Sequence, residues 1–186
     1  YDGNEEKVGR EMNVVKDVTF KGKILEMTKA AIAYVKTQIK ERTYLDSTAL
    51  FVTKPEYPEF CWTELIVNAV AHRDYSILGT DIQIKLFDDH FTVESPGILP
   101  GRVRLHNMRT THFSRNPKIA SFMKEYEFIR EFGEGIDRMY RELEEGGWPS
   151  PVFRQDDFMF RANLIANPLM SNDPNDPNDP NVIQID

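Results

Sequence analysis

The segment ELIVNAVAHRDY, Glu64 to Tyr75, constrains the fold more than any other stretch of the chain. Leu65, Ile66, Val67, Ala69, Val70 and Ala71 make it apolar nearly all round, and a helix of that kind has to be buried. Three polar residues interrupt it at intervals of four: Glu64, Asn68 and His72. At 3.6 residues per turn each lies about 40° round from the last, so together they draw a polar stripe along the helix. A buried carboxylate or amide without partners costs several kcal/mol, so the stripe needs company. Either it faces a cavity that holds a polar ligand, or it faces solvent on a half-buried helix. Spacing alone does not separate the two.

The surrounding patterns supply the layers. Apolar residues at helical spacing run from Ile24 to Glu41. Tyr44 to Val52 alternates loosely as a strand, closed by Pro55 and Pro58, and the polar-striped helix is expected over Glu59 to His72. Asp81 to Phe87 alternates cleanly, with Ile82, Ile84 and Leu86 on one face, and His90 to Glu94 answers it across Asp88-Asp89 as a hairpin. Ser95-Pro96-Gly97 breaks that second strand. A long irregular stretch ends at Asn116-Pro117, a cap and first-turn proline that start a helix. A further helix spans Glu134 to Glu145 and stops at Gly146-Gly147, and Val152-Phe153 with Asp157 to Ile165 closes the sheet. The sum is an α/β (α+β) two-layer sandwich, a mixed, mostly antiparallel sheet covered on one face by helices.

Three regions follow. Residues 1–22 are polar and read as a lead-in from an upstream domain, 23–166 as the folded domain, and 167–186 as a linker to a downstream one. In that last stretch Asn-Asp-Pro recurs three times from Asn172, and such residues favour turns over packed structure. The opening at Tyr1 fits a piece of a longer protein.

Charge and cysteine content narrow the function classes. With 30 acids against 23 bases the net charge is −7, which argues against a surface built to coat nucleic acid. Gly101 to Lys118 is the exception, carrying Arg102, Arg104, Arg109, Arg115 and Lys118 with no acid. It is a phosphate-holding segment or a solvated basic loop. Cys61 stands alone, so there is no internal disulfide, and a reducing, cytoplasmic setting is expected with no membrane span or signal peptide. His72-Arg73-Asp74 spells the protein-kinase catalytic tripeptide, but Gly79 stands where that loop needs an Asn. His90, His106 and His112 lack zinc-ligand spacing, and no P-loop is present.

A carboxylate and an amide oxygen on adjacent helical turns suit a hydrated Mg²⁺ beside a triphosphate, because Mg²⁺ prefers oxygen ligands and keeps its waters. Glu64-x-x-x-Asn68-Ala69 resembles the N-box of GHKL ATPases, in which the Asn ligates Mg²⁺ and the Glu of hydrolytic members activates water. NAVAHRDYS, an alternating strand pair, ESPGILPG, SRNPKIA and EFGEGIDRM follow in the order seen in the ATP-binding-like domain of RecG-like, AlbA-containing transcriptional regulators. The resemblance covers about residues 24–166. It implies a GHKL ATPase-like fold with ATP and Mg²⁺ as cofactors: Glu64 for water activation, Asn68 for Mg²⁺, and Asn68, His72, Glu94, Ser95, Gly97, Arg115, Gly133 and Gly135 around the nucleotide.

The chain departs from the GHKL pattern at the first glycine box. The adenine-reading Asp is not evident in Glu94-Ser95-Pro96-Gly97. The resemblance implies a regulatory ATP/Mg²⁺-binding module, at most a weak ATPase, whose DNA contact lies in a winged helix outside this chain. The alternative is a degenerate fold without nucleotide that serves as a homodimerisation or interaction scaffold.

Overall fold

The computed structural model describes residues 1–45, 48–126 and 134–168; Gly133 and the Asn-Asp-Pro repeats lie outside the described residues. The first helix, α1, is Ile24–Lys36, shorter than its apolar periodicity suggests. The cause is local. Thr37 turns its hydroxyl onto the Tyr34 carbonyl at 2.7 Å, a side-chain bond that competes with helix continuation. Lys40 is then drawn into pairing with Glu56, whose N–H donates to the Lys40 carbonyl at 2.8 Å.

The single strand expected over Tyr44 to Val52 is instead an antiparallel hairpin of β1 (Glu41–Leu45) and β2 (Phe51–Pro55), a two-stranded sheet of its own. Loose alternation on both sides of a turn reads in sequence as one strand. The register pairs Thr43 with Thr53, and their hydroxyls meet at 2.8 Å.

Helix α2 (Glu59–His72) is the centre of the molecule. Cys61, Trp62, Leu65, Ile66 and Ala69 pack with Val35 of α1. On the other sides they meet Met139 and Leu143 of α4 (Gly135–Gly146), and Phe91, Val93, Ala162 and Leu164 of the main sheet. Ile66, Phe91, Met139 and Leu164 are fully buried, each contributing about 1.5–3 kcal/mol over an exposed position.

The main sheet has the order β3-β4-β6-β5 and is antiparallel throughout: β3 (Gln83–Leu86), β4 (His90–Pro96), β5 (Val152–Gln155) and β6 (Met159–Ile165). This is the two-layer α/β sandwich anticipated above. Strand β4 runs through Ser95-Pro96 and ends at Gly97, whose φ of +116° only glycine adopts readily. Side chains alternate along it. Phe91, Val93 and Ser95 face α2, and Glu94 faces away. On that outer face Glu94 takes Lys85 at 3.2 Å and Arg161 at 2.6 Å.

Helix α3 (Pro117–Glu125) opens at the expected Asn116-Pro117. The N-terminal segment lies on the β3–β4 turn, where Gly3 N–H donates to Asp88 at 2.7 Å and Glu6 pairs with Lys85 at 2.7 Å. Among the described residues no helix is long and apolar enough to cross a membrane.

Candidate functional site

Two of the striped residues are joined directly. Asn68 Nδ2 donates to Glu64 Oε1 at 2.9 Å, as neighbours one helical turn apart should. The pair lies under the first turn of α4. A Cβ built on Gly135 would stand 1.7 Å from Glu64 Oε1 and 2.4 Å from its Cδ. With Glu64 in this position, only a residue without a side chain fits here. Burial pushes the Glu64 carboxyl above the usual carboxylate range, while the Asn68 amide and the Arg138 charge pull it back. Asn68 Oδ1 and Glu64 Oε2 have no hydrogen-bond partner among the described residues. Two free oxygens on adjacent turns are the donor type that Mg²⁺ accepts beside phosphate. The described residues hold no cluster of three or more His, Cys, Asp or Glu that would cage an ion alone.

His72 lies at the other end of the stripe. Burial and the nearby Arg115 cation hold its imidazole below the ordinary range, and its Nδ1 is buried without a partner. Ser114 Oγ and Arg115 Nε share that condition. All three belong to one junction, where the segment before α3 crosses the C-terminal end of α2. Asn116 fixes the crossing: its Nδ2 donates to the Ala71 carbonyl at 3.0 Å and the Arg73 carbonyl at 2.8 Å, capping α2.

Asp74 completes the junction, and sequence reasoning passes over it. His72-Arg73-Asp74 is weighed there only against the kinase motif, and nothing in the spacing brings residue 74 to residues 97 and 115. In the structure the Asp74 N–H donates to the Pro96 carbonyl at 2.7 Å, and Arg115 Nη1 meets Asp74 Oδ2 at 2.9 Å. Ser76 bonds the other oxygen through both its N–H and its hydroxyl, and these bonds, with Arg115, keep the carboxyl below its ordinary range. Arg115 Nη2 also donates to the Ile98 carbonyl. Gly97 sits between them, with a built Cβ only 2.9 Å from Asp74 Cβ.

The expected site residues therefore divide. Glu64, Asn68 and Gly135 come together at the α2–α4 contact, and His72 and Arg115 at the α2–α3 junction. Ser95 lies inside the sandwich, its hydroxyl donating to the Ala69 carbonyl at 3.0 Å, and Gly97 turns the chain beside Asp74. Glu94 is not brought to the others, because strand alternation aims it through the opposite face of the sheet. Gly133 lies outside the described residues.

The basic segment between Gly97 and Asn116 is a strap with little regular structure. Its neck is closed by Arg115 on Ile98 and Asp74, and Val103 and Met108 are its buried anchors. Its tip reaches α4: Arg109 Nη2 meets Asp137 Oδ1 at 2.7 Å and Nε meets it at 3.1 Å, with the guanidinium 4.5 Å from the Tyr140 ring centre. The run of bases was visible in sequence; its aspartate partners were not.

Comparison with known proteins bears on the same region. Residues 79–164 match the family model described as "Putative ATP-dependent DNA helicase recG C-terminal". That span is a little under half of the chain; it begins after α2 and so leaves out Glu64 and Asn68. The match supports a RecG-like ATPase-type domain. Among curated proteins no relative matches. In fold the chain is similar to the crystal structure of the DIP2311 protein from Corynebacterium diphtheriae, Northeast Structural Genomics Consortium Target CdR35. The TM-score is 0.71 at 23% identity, over 76% of this chain and 29% of that one. At that identity the likeness is one of fold, and this chain spans less than a third of that protein.

Proposed function

We propose that this domain binds ATP with Mg²⁺ and serves as a regulatory module of a longer DNA-binding regulator. The observation that carries the reading is the Glu64–Asn68 pair clamped against Gly135. The acid and amide are half-buried and bonded to each other, and each keeps one oxygen without a hydrogen-bond partner among the described residues, so both can still serve a ligand. They make a good magnesium contact. The family match over residues 79–164 supports the same reading.

Asn68 would hold the ion through its amide oxygen, and Glu64 would orient or deprotonate a water. The ion would supply charge neutralisation at the phosphates. Glu64 is the residue of the pair able to act as a base, and the reading gives the domain binding with slow hydrolysis at most. DNA contact belongs to another part of the full protein, because the −7 net charge leaves this chain few phosphate contacts.

A second reading has its own observation. Asp74, Ser95 and Asn116, with both Nη atoms of Arg115, make internal bonds, as a scaffold for homodimerisation or other partners would. Titration of the chain with ATP, with and without Mg²⁺, separates the two. The nucleotide reading expects saturable, Mg²⁺-dependent binding that Asn68→Ala removes while the protein stays folded. No binding at millimolar nucleotide with Mg²⁺ leaves the scaffold reading.

A further inference from the structure

The strap carries two kinds of arginine. Arg109 and Arg115 spend their charge on Asp137 and Asp74. Arg102 and Arg104 are exposed, and neither has a carboxylate within ion-pairing distance among the described residues. In a chain whose net charge is −7, two neighbouring cations without an acid are an exception.

The turn that bears them is fixed by Asn107. Its Oδ1 accepts from the Arg104 N–H at 2.6 Å, and its Nδ2 donates to the Arg102 carbonyl at 3.2 Å. Its own N–H donates to the Arg104 carbonyl at 3.0 Å. Val103, between the two arginines, is buried and pins the turn from beneath.

Phe113 joins this turn from the other end of the strap. Its ring lies against Gly101, where a built Cβ would stand 2.8, 3.0 and 3.0 Å from three ring atoms. Gly101 has φ +58°, so both the space and the backbone call for glycine. The ring is still 53% exposed: one side is backed by main chain and the rest is open. Arg104 Nη1 donates to the carbonyl of the same Gly101 at 3.0 Å, and Arg102 is the next residue in the chain. An open aromatic ring and two guanidinium groups without acids thus gather around one glycine.

We propose that this cluster is a contact for single-stranded nucleic acid, with an unpaired base stacked on Phe113 and flanking phosphates on Arg102 and Arg104. An exposed ring on a fixed support is a stacking platform for a base. The planar guanidinium fork matches phosphate oxygens. A duplex keeps its base faces hidden, and an acidic peptide would satisfy the charges and leave the ring bare. The net charge of −7 limits the contact to a few phosphates, so it adds to a DNA contact made elsewhere in the longer protein. It does not depend on Glu64 and Asn68.

The test is fluorescence anisotropy of the full chain with a labelled single-stranded oligonucleotide at low salt. The same sequence as a duplex, poly-glutamate and MgATP serve as rival ligands. The wild type should bind the single strand with a Kd of about 10⁻⁵ M, in the range of non-specific contacts, and more tightly than the duplex. Phe113→Ala should weaken binding about fivefold or more, the worth of one stacked base, and Phe113→Trp should retain it. Arg102→Gln with Arg104→Gln should flatten the slope of log K against log salt by about 1.4, as loss of two single-strand phosphate contacts requires. Unchanged affinity in Phe113→Ala, an unchanged salt slope in the arginine double variant, or equal binding of the duplex would overturn the proposal. Tighter binding of poly-glutamate than of the strand would assign the arginines to an acidic partner instead. Loss of MgATP binding in Phe113→Ala would assign the ring to a free nucleotide, and either result overturns the strand contact.

Discussion

Gly135→Ala is the most informative single change. It adds one methyl group at a place where a built Cβ stands 1.7 Å from Glu64 Oε1, 2.4 Å from Cδ and 3.2 Å from Cγ. The backbone of Gly135 is helical, so alanine is acceptable there and improves helix propensity by up to about 1 kcal/mol, less at a first turn. Against this, Glu64 must swing aside and lose its bond to Asn68, worth about 0.5–1.5 kcal/mol. Overpacking adds a further cost, about 1–3 kcal/mol in a tight core, at the low end here because the colliding atoms are the end of a flexible side chain. The net is a loss of about 1 kcal/mol, which lowers Tm by about 2–4 °C in a chain of this size. Binding should respond far more, because the Glu64–Asn68 geometry is what the methyl group destroys: MgATP affinity should fall at least tenfold. Thermal melting and calorimetric titration read the two effects separately. Adding Glu64→Ala to Gly135→Ala should restore the melting temperature and not the binding. Unchanged MgATP affinity in a folded Gly135→Ala protein would refute the reasoning.

Glu64→Gln should change the pH dependence of stability. Burial raises the folded-state pKa of Glu64 above its unfolded value, so the contribution of its protonated form is fully present below the unfolded pKa and is lost as pH rises through the folded one. Each unit of that rise amounts to about 1.4 kcal/mol. The melting-temperature difference, variant minus wild type, should therefore grow from pH 4 to pH 8, and a constant difference would contradict the burial account. Gly97→Ala combines a left-handed φ of +116° with a Cβ 3.2 Å from the Asp74 backbone nitrogen. Strain and overpacking together should cost about 2–5 kcal/mol in denaturant unfolding, and a loss below about 1 kcal/mol would show that the junction yields easily.

Helix and hairpin positions were legible in sequence where periodicity and stop signals agreed. Glu59–His72 follows Pro58 and carries an apolar run too continuous for a strand, and Asp88-Asp89 separates two alternating runs. The end of α1 and the β1–β2 hairpin were not, because they depend on the Thr37 hydroxyl and on pairing with Glu56, which periodicity does not register. The site was half legible. Glu64 and Asn68 share a helix, so spacing alone sets them side by side. Asp74 with Gly97 and Arg115, and Arg109 with Asp137, are separated by 23 to 41 residues and meet only through the fold. Strand alternation also decides against grouping Glu94 with the rest: it is adjacent to Ser95 in sequence and on the other side of the sheet in space.

The central claim is that Glu64 and Asn68 would hold a nucleotide-bound divalent ion. Mn²⁺ in place of Mg²⁺ reports this directly, because its unpaired electrons broaden nearby amide signals in a nuclear magnetic resonance spectrum. With ATP present, the amides of Glu64, Asn68 and Gly135 should broaden at substoichiometric Mn²⁺, and without ATP they should stay sharp. Broadening that ignores ATP, or that spares these three residues while affecting acidic surface positions such as Glu144 and Glu145, would contradict the account.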